Sequence, residues 1–131
     1  MYKRQIVYGR LPLMITENCL VQNETGCRLD RQGPCVPEDG PCRCGQPNVL
    51  VDRTGAAFPL LPAYGHRTEI QNSKPLYLAD RPEHRRLGLA YARLRFTTET
   101  AEECVSVVQN YLDAAPAAGD FTRGLYERGV E

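Results

Sequence analysis

The residues most able to do chemistry in this sequence are its cysteines, and they are crowded into one stretch. Five of the six cysteines lie between Cys19 and Cys44, at gaps of eight, eight, seven and two residues. The residues around them are rich in glycine, proline and charge, which is not the composition of a buried core. The stretch therefore predicts a loop whose thiols need a chemical explanation.

Metal binding is one interpretation of this cysteine segment, residues 19–44. The gaps match neither a zinc ribbon nor a CxxC pair, but a CxC pair with distant partners suits four thiolates converging on an iron–sulfur cluster. Crowded thiolates repel one another unless a metal neutralises them or they stay protonated. The predicted metal-binding set is Cys19, Cys27, Cys42 and Cys44, with Cys35 as a substitute for one of them. Incidental loop thiols and disulfide or redox use remain open.

Composition limits the other function classes. The 131 residues carry 16 basic and 16 acidic side chains, so no whole-chain field attracts nucleic acid or an anionic membrane. The longest apolar runs are far shorter than the roughly 18 residues of a membrane helix, and no signal-peptide core follows the start. We therefore expect a cytoplasmic protein, or part of one, in which a thiol cluster binds metal or reacts rather than forming disulfides.

The first half of the chain predicts strands on either side of the cysteine segment. Residues 6–15 read as one strand, buried on both faces and kinked at Pro12, that leads to Cys19. After the segment, Asp-Arg-Thr-Gly at residues 52–55 separates two apolar runs. This pattern predicts a hairpin over residues 48–61 with a type I turn and a glycine bulge. Pro59 and Pro62 are expected to end it, and residues 63–67 to be irregular.

The second half predicts strands and helices in alternation. A short strand at residues 76–78, a helix near 81–87 and a strand at 90–96 are followed by a helix that Thr100 and Glu103 open as a capping box. This last helix reaches about residue 114. Its apolar residues fall on one stripe, which predicts a single buried face: Ala101, Cys104, Val105, Val108, Tyr111 and Leu112. The alternation is typical of an α/β fold with a parallel sheet.

The remaining chemical side chains are isolated. His66 lies in a loop where it would serve as a general base or a metal ligand, although a lone loop histidine is more often solvated. Glu17, beside Cys19, would serve in proton transfer or cap a turn. Neither His66 nor His84 has a serine or acidic partner at a recognisable spacing, so the sequence does not predict a hydrolytic triad.

Four motifs, in this order, resemble the peptidase U32 family, the group named for collagenase-like proteases. The first is Tyr-Gly-Arg-Leu-Pro-Leu-Met-Ile-Thr-Glu-Asn-Cys at residues 8–19. The others are Asp-Arg-Thr-Gly at 52–55 with Phe58 and Pro59, Asn-Ser-Lys-Pro-Leu at 72–76, and Phe-Thr-Arg-Gly at 121–124. The resemblance covers nearly the whole chain from Val7. One departure is Pro12, where the family signature commonly has a cysteine, whereas Cys19 matches the second signature cysteine.

The resemblance implies a fold. The chain would be the later portion of a TIM-like (β/α) barrel with a cysteine-rich loop and a β-hairpin inserted, and the missing N-terminal half would supply the other strands. The partial U32 domain would divide into 6–47, 48–62, 73–115 and a tail at 116–131. In such a barrel Arg93 and Arg95 would point inward, where they bind substrate or pair with carboxylates.

The resemblance also implies two functions. One is peptide hydrolysis by a collagenase-like protease, with the cysteines holding metal. The alternative is a non-proteolytic protein with a 4Fe–4S cluster that takes part in hydroxylating bases of tRNA or rRNA or a cofactor precursor. The substrate is then a peptide or an RNA, and no membrane partner is expected.

Overall fold

The structure, a computed structural model, describes residues 3–25, 43, 46–81, 83–86 and 88–125. The chain divides into two compact units: unit 1 comprises Met1–Leu11 and Lys74–Glu131, and unit 2 comprises Pro12–Ser73. In chain order, the elements of the described residues are β1 (Arg4–Gly9), β2 (Pro12–Thr16), α1 (Gln22–Thr25), β3 (Asn48–Val51), β4 (Ala57–Ala63), β5 (Arg67–Gln71), β6 (Leu76–Tyr77), α2 (Glu83–Arg86), β7 (Tyr91–Leu94) and α3 (Ala101–Leu112).

The expected TIM-like barrel is wrong. In the described part of the chain the strands form two sheets, one of three strands in the order β6-β1-β7 and one of four in the order β2-β5-β4-β3. Among the described strands, β1 and β7 pair in parallel and the other paired strands are antiparallel, with one isolated parallel bridge between Leu76 and Thr122. A barrel of βα repeats needs parallel neighbours throughout, so neither sheet has the pairing of a barrel segment.

The run at residues 6–15 forms two strands in different sheets rather than one. Gly9 ends β1 with φ +116°, and a Cβ added there would lie 2.0 Å from the carbonyl oxygen of Arg95. Only glycine fits this close approach. Pro12 then opens β2, where its missing N–H costs least. The prediction of burial on both faces holds at the end of β1, where Val7 and Tyr8 are 0% and 6% exposed, but it is wrong for β2, where Leu13, Met14 and Ile15 are 55–56% exposed.

Unit 1 has a core between its sheet and α3. Two clusters of buried residues form it: Val7, Leu76 and Leu78, and Tyr8, Tyr77 and Ala79. The Tyr111 hydroxyl of α3 accepts a hydrogen bond from the Leu78 N–H at 2.9 Å and donates one to the Val7 carbonyl at 2.5 Å. Burial raises the pKa of Tyr111 to about 12, so this hydroxyl stays protonated and keeps its donor.

Helix α3 begins as the sequence predicts. Glu103 N–H donates to the Thr100 hydroxyl at 3.3 Å, and Thr100 N–H donates to the Glu103 carboxylate at 2.7 Å. This capping box satisfies two of the N–H groups that a helix start leaves open. The expected single buried stripe is wrong, however, since Val105 and Leu112 are 71% and 72% exposed while Tyr111 packs on the core.

Unit 2 is an antiparallel sheet with the predicted hairpin at one edge. At the β3–β4 turn the Asp52 carboxylate accepts from the N–H groups of Thr54 and Ala56, at 2.7 and 3.0 Å. The Thr54 hydroxyl, which also donates to it, lowers the pKa of Asp52. Pro59 and Pro62 do not end the hairpin, because β4 continues through both to Ala63. The sequence interpretation also missed β5, whose Thr68 and Gln71 are polar but buried.

Candidate functional site

One end of the four-stranded sheet of unit 2 is where the cysteine segment begins and ends. Thr16, the last residue of β2, pairs with Thr68 of β5, which pairs with Pro62 of β4. Asn48, the first residue of β3, pairs with Leu60, two residues along β4 from Pro62. Both strands therefore meet the segment at the same end of the sheet, from opposite edges that lie about 14 Å apart at ordinary strand spacing.

A tight turn after β2 fixes Cys19 at this end. The Thr16 hydroxyl donates to the Asn18 carbonyl at 2.6 Å, and the Leu20 N–H donates to the Thr68 hydroxyl at 3.0 Å. Thr68 is 2% exposed. Its hydroxyl is therefore a buried acceptor, and leaving it without a hydrogen bond would cost free energy. These bonds bring the chain from the edge strand β2 to β5, and Cys19 becomes buried beside it at 6% exposure.

The other end of the cysteine segment is tied to the same end of the sheet. The Asn48 side-chain amide donates to the carbonyl of Gln46 at 2.7 Å and to that of Arg43 at 3.0 Å. In addition, Gln46 N–H donates to the Arg43 carbonyl at 3.0 Å. Arg43 is the residue between Cys42 and Cys44 in the sequence. The sequence offers no signal for this bracing, because Asn48 reads only as the start of a strand.

A polar cleft of about 610 Å³ opens at this end of the sheet. Its lining comes from the turn after β2, the start of α1 and the β4–β5 turn: Glu17, Asn18, Gln22, Tyr64, Gly65, His66 and Arg67. Gly65 and His66 both have positive φ, +74° and +59°, which makes the tight turn possible. Tyr64 is 97% exposed at this turn.

The charged pair in the cleft is exposed. The Arg67 guanidinium donates to one oxygen of Glu17 through Nε at 3.2 Å and through Nη2 at 3.0 Å. The side chains are 47% and 78% exposed, so solvent screens the pair and it stabilises little. Its groups thus stay accessible to a polar ligand. The lining residues include no serine, threonine or cysteine, so the described cleft has no nucleophile for His66 to activate.

Most of the predicted metal-binding set lies outside the described residues. That holds for Cys27, Cys35, Cys42 and Cys44, whereas Cys19 is described and buried. Among the described residues no group of three or more histidine, cysteine or acidic side chains is arranged to hold a metal ion. Cys104, expected in a helix core, is half-buried on α3.

The two arginines predicted to bind substrate lie in unit 1, away from any barrel interior. Arg95 is half-buried, and its guanidinium donates to the Arg10 carbonyl at 3.0 Å while its N–H donates to the Tyr8 carbonyl at 2.9 Å. Arg93 is exposed on β7. The expectation that both arginines face a barrel interior is wrong, because the strands do not form a barrel. Arg95 instead joins the loops that follow β1 and β7.

A largely buried ion pair in the described part of unit 1 was not predicted. Arg123 donates to both oxygens of Asp80, at 2.6 and 2.7 Å, and to the Tyr77 carbonyl at 2.6 Å. Its hydrogen bonds lower the pKa of Asp80. With the Phe121 ring 4.6 Å from the guanidinium, the pair fastens the Phe-Thr-Arg-Gly motif to the loop after β6. Its partners are 43 residues apart in sequence, a separation that no local pattern reveals.

Comparison with protein-family models, with curated proteins and with solved structures gives no match to this chain. The resemblance to the peptidase U32 family therefore stays a prediction from the motifs alone. In the ranges that the structure describes, none of the helices is long and apolar enough to cross a membrane.

Proposed function

We propose that this chain is part of a U32-type protein whose cysteine segment binds an iron–sulfur cluster, and that it acts in hydroxylation of an RNA base or a cofactor precursor rather than in peptide cleavage. The observation that carries the proposal is that Leu20, next to Cys19, and Arg43 are both hydrogen-bonded at one end of the unit 2 sheet, where the cysteine segment begins and ends. A cluster needs its ligands brought together from distant parts of a loop.

The chemistry of the proposed donors, which are all thiols, suits such a group. Cys19 supplies a thiol in a water-poor site beside β5, and Cys42 and Cys44 flank the anchored Arg43 in sequence. Cys27 completes the set, with Cys35 as its substitute. The bound cluster would supply one-electron transfer. A reducing cytoplasm, which the proposal requires, keeps such thiols free of disulfides.

The chain's own residues would do three things at this site. Thr16 and Thr68 hold the turn that orients Cys19. The Thr16 hydroxyl donates to the Asn18 carbonyl, and the Thr68 hydroxyl accepts from the Leu20 N–H. Burial keeps water from the Cys19 thiol. Arg67 and Glu17, paired and exposed in the cleft at the same end of the sheet, offer a donor and an acceptor to a polar substrate.

The described geometry favours the non-proteolytic alternative over the peptidase. A covalent hydrolase needs a nucleophile within hydrogen-bond reach of its base, and the described residues that line the cleft around His66 include no serine, threonine or cysteine. The Glu17 carboxylate is instead held by Arg67.

The test is to purify the full chain without oxygen, supply iron and sulfide, and measure iron and acid-labile sulfide per chain. Wild-type protein should be coloured and contain both, and Cys42→Ser and Cys44→Ser should each lose most of the iron. Denatured collagen is offered to the same preparation as a peptide substrate. Absence of iron from wild-type protein, or unchanged iron in both variants, contradicts cluster binding; cleavage of collagen that His66→Ala abolishes contradicts the non-proteolytic assignment.

A further inference from the structure

Helix α3 carries a second apolar face, which is exposed and does not belong to the core that the described residues of unit 1 form. Ala101, Val105, Val108 and Leu112 form this face, here called the outer stripe. At about 100° per residue the four positions fall within an arc of about 60°. Val105, Val108 and Leu112 are 71%, 42% and 72% exposed. Three large aliphatic side chains in line on a helix form a continuous apolar strip, unlike the single exposed apolar residues that are common on protein surfaces.

A different face of α3, about 110° around the helix axis from the outer stripe, already packs on unit 1. Val107 and Tyr111 pack on the cluster of Tyr8, Tyr77 and Ala79, and the Tyr111 hydroxyl is bonded to β1 and to the loop after β6. The helix therefore does not need the outer stripe to stay in place. Its spacing of three and four residues instead matches what a second helix packs against.

Charge on α3 indicates what kind of helix that would be. The helix has acidic residues in its first turn, no basic residue in its last turn, and Asp113 at its C-cap. Glu102 and Asp113 lie on the same flank of the outer stripe, and Gln109 lies on that flank too, at a position between them along the helix axis. Gln109 donates to the Asp113 carboxylate at 2.9 Å, which leaves the negative charge in place.

We propose that the outer stripe of α3 is a docking surface for a basic amphipathic helix of a partner protein. The partner would lay an apolar stripe along Val105, Val108 and Leu112 and place lysine or arginine beside Glu102 and Asp113. Opposite charges at the flanks of a helix pair set partner choice and orientation.

A second copy of this chain fits the outer stripe poorly. Two copies of α3 packed antiparallel would bring the same flank of each helix together. Glu102 of one copy would then face Asp113 of the other, and like charges so placed destabilise a helix pair. The acidic flank selects against self-pairing by the same charges that select a basic partner.

The experiment uses the full chain and two labelled helical peptides with the same leucine stripe, one flanked by lysine and one by glutamate. Fluorescence anisotropy should show the lysine peptide binding at least about tenfold more tightly than the glutamate peptide. Val105→Glu and Leu112→Glu should each weaken the binding of the lysine peptide by about tenfold or more. The matched control is Val49→Glu in unit 2, where the valine is 56% exposed and the same change should leave binding unaltered.

Reversing the flank sharpens the test. Glu102→Lys combined with Asp113→Lys should make the chain prefer the glutamate peptide. Equal binding of both peptides, no binding of either, or equal effects of Val105→Glu and Val49→Glu would overturn the proposal. A wild-type dimer in sedimentation velocity that Val105→Glu dissolves would also overturn it, because a second copy would then cover the outer stripe. Iron content should not change in any of these variants, so the result is independent of the function proposed for unit 2.

Discussion

The two units of this molecule use their polar side chains in different ways. In unit 1 the best-bonded polar groups hold the fold together: Tyr111 joins two backbone segments, Arg95 bonds the Arg10 carbonyl, and Arg123 bonds Asp80. In unit 2 the polar groups near Cys19 and those of an open cleft lie at one end of the sheet, whereas Asp52 bonds only its own turn at the other end. The contrast indicates that unit 1 is where the fold is fastened and unit 2 is where chemistry should be sought.

The largest expected effect comes from Gly9→Ala in unit 1. A Cβ at this position would overlap the Arg95 carbonyl oxygen, 2.0 Å away, at a φ of +116°. Since backbone must move to relieve the overlap, we expect the free energy of unfolding to fall by about 4 kcal/mol or more. Urea unfolding followed by the near-UV circular dichroism of the tyrosines measures it.

Gly55→Ala in unit 2 is the matched control for Gly9→Ala. Gly55 also has positive φ, +86°, but no atom lies within 4 Å of an added Cβ. The free energy of unfolding should therefore fall only by the backbone strain of an alanine at this φ, about 1 kcal/mol. Equal losses in the two variants would show that the close approach at Gly9 does not fasten unit 1.

A smaller effect is expected from Asp80→Asn. The pair with Arg123 is mostly buried, at 24% and 15% side-chain exposure, and breaking such a pair should cost about 2–3 kcal/mol at neutral pH. Because Arg123 lowers the pKa of Asp80 in the folded state, the stabilisation is present above the unfolded pKa of about 4 and is lost as pH falls through the lower folded pKa. Urea unfolding at several pH values should therefore show wild type and variant converging in acid.

The control for Asp80→Asn is Asp120→Asn, which removes an exposed pair with Lys74 at 2.8 Å and 78% exposure of the aspartate. That change should cost less than about 1 kcal/mol. Two results would contradict this account: equal losses of stability in the two variants, or a difference in stability between wild type and Asp80→Asn that persists in acid. Either would show that burial of the Arg123 pair does not hold the Phe-Thr-Arg-Gly motif in place.

The smallest effect on stability, but one with a second readout, is expected from Thr68→Val. The variant keeps the shape of the side chain and leaves the Leu20 N–H without its acceptor, which should cost about 1–2 kcal/mol. If this bond orients Cys19, the variant should also retain less iron after reconstitution. Thr54→Val, at an exposed hydroxyl of the β3–β4 turn, is the control and should keep its iron. Full iron in Thr68→Val would show that the turn does not position the thiol.

Sequence reasoning succeeded where the determinants are local. Thr100 and Glu103 are three residues apart and define the start of α3 by themselves. Asp52 likewise bonds residues of its own turn, so the hairpin was legible. The metal-binding set stays a prediction, and nothing local in the sequence marks Asn48 as the residue whose side chain bonds the Arg43 carbonyl.

The failures share a physical cause, which is that distant contacts decided the outcome. β5 was missed because Thr68 and Gln71 are polar yet buried at 2% and 0% exposure, against the usual link between apolar pattern and burial. The single strand at residues 6–15 divides because the loop after β7 reaches Gly9. The apolar positions of α3 could not be assigned to two faces without knowing that Val107 and Tyr111 pack on the buried core of unit 1.

The most direct test of the contrast between the units compares two cysteines, one from each. Cys19→Ser changes the buried thiol at the sheet end of unit 2, and Cys104→Ser changes the half-buried thiol on α3 of unit 1. Iron per chain is measured after anaerobic reconstitution, with far-UV circular dichroism to establish that both variants are folded. We predict that Cys19→Ser loses most of its iron and Cys104→Ser matches wild type; equal iron in the two variants would contradict the assignment of the chemistry to unit 2.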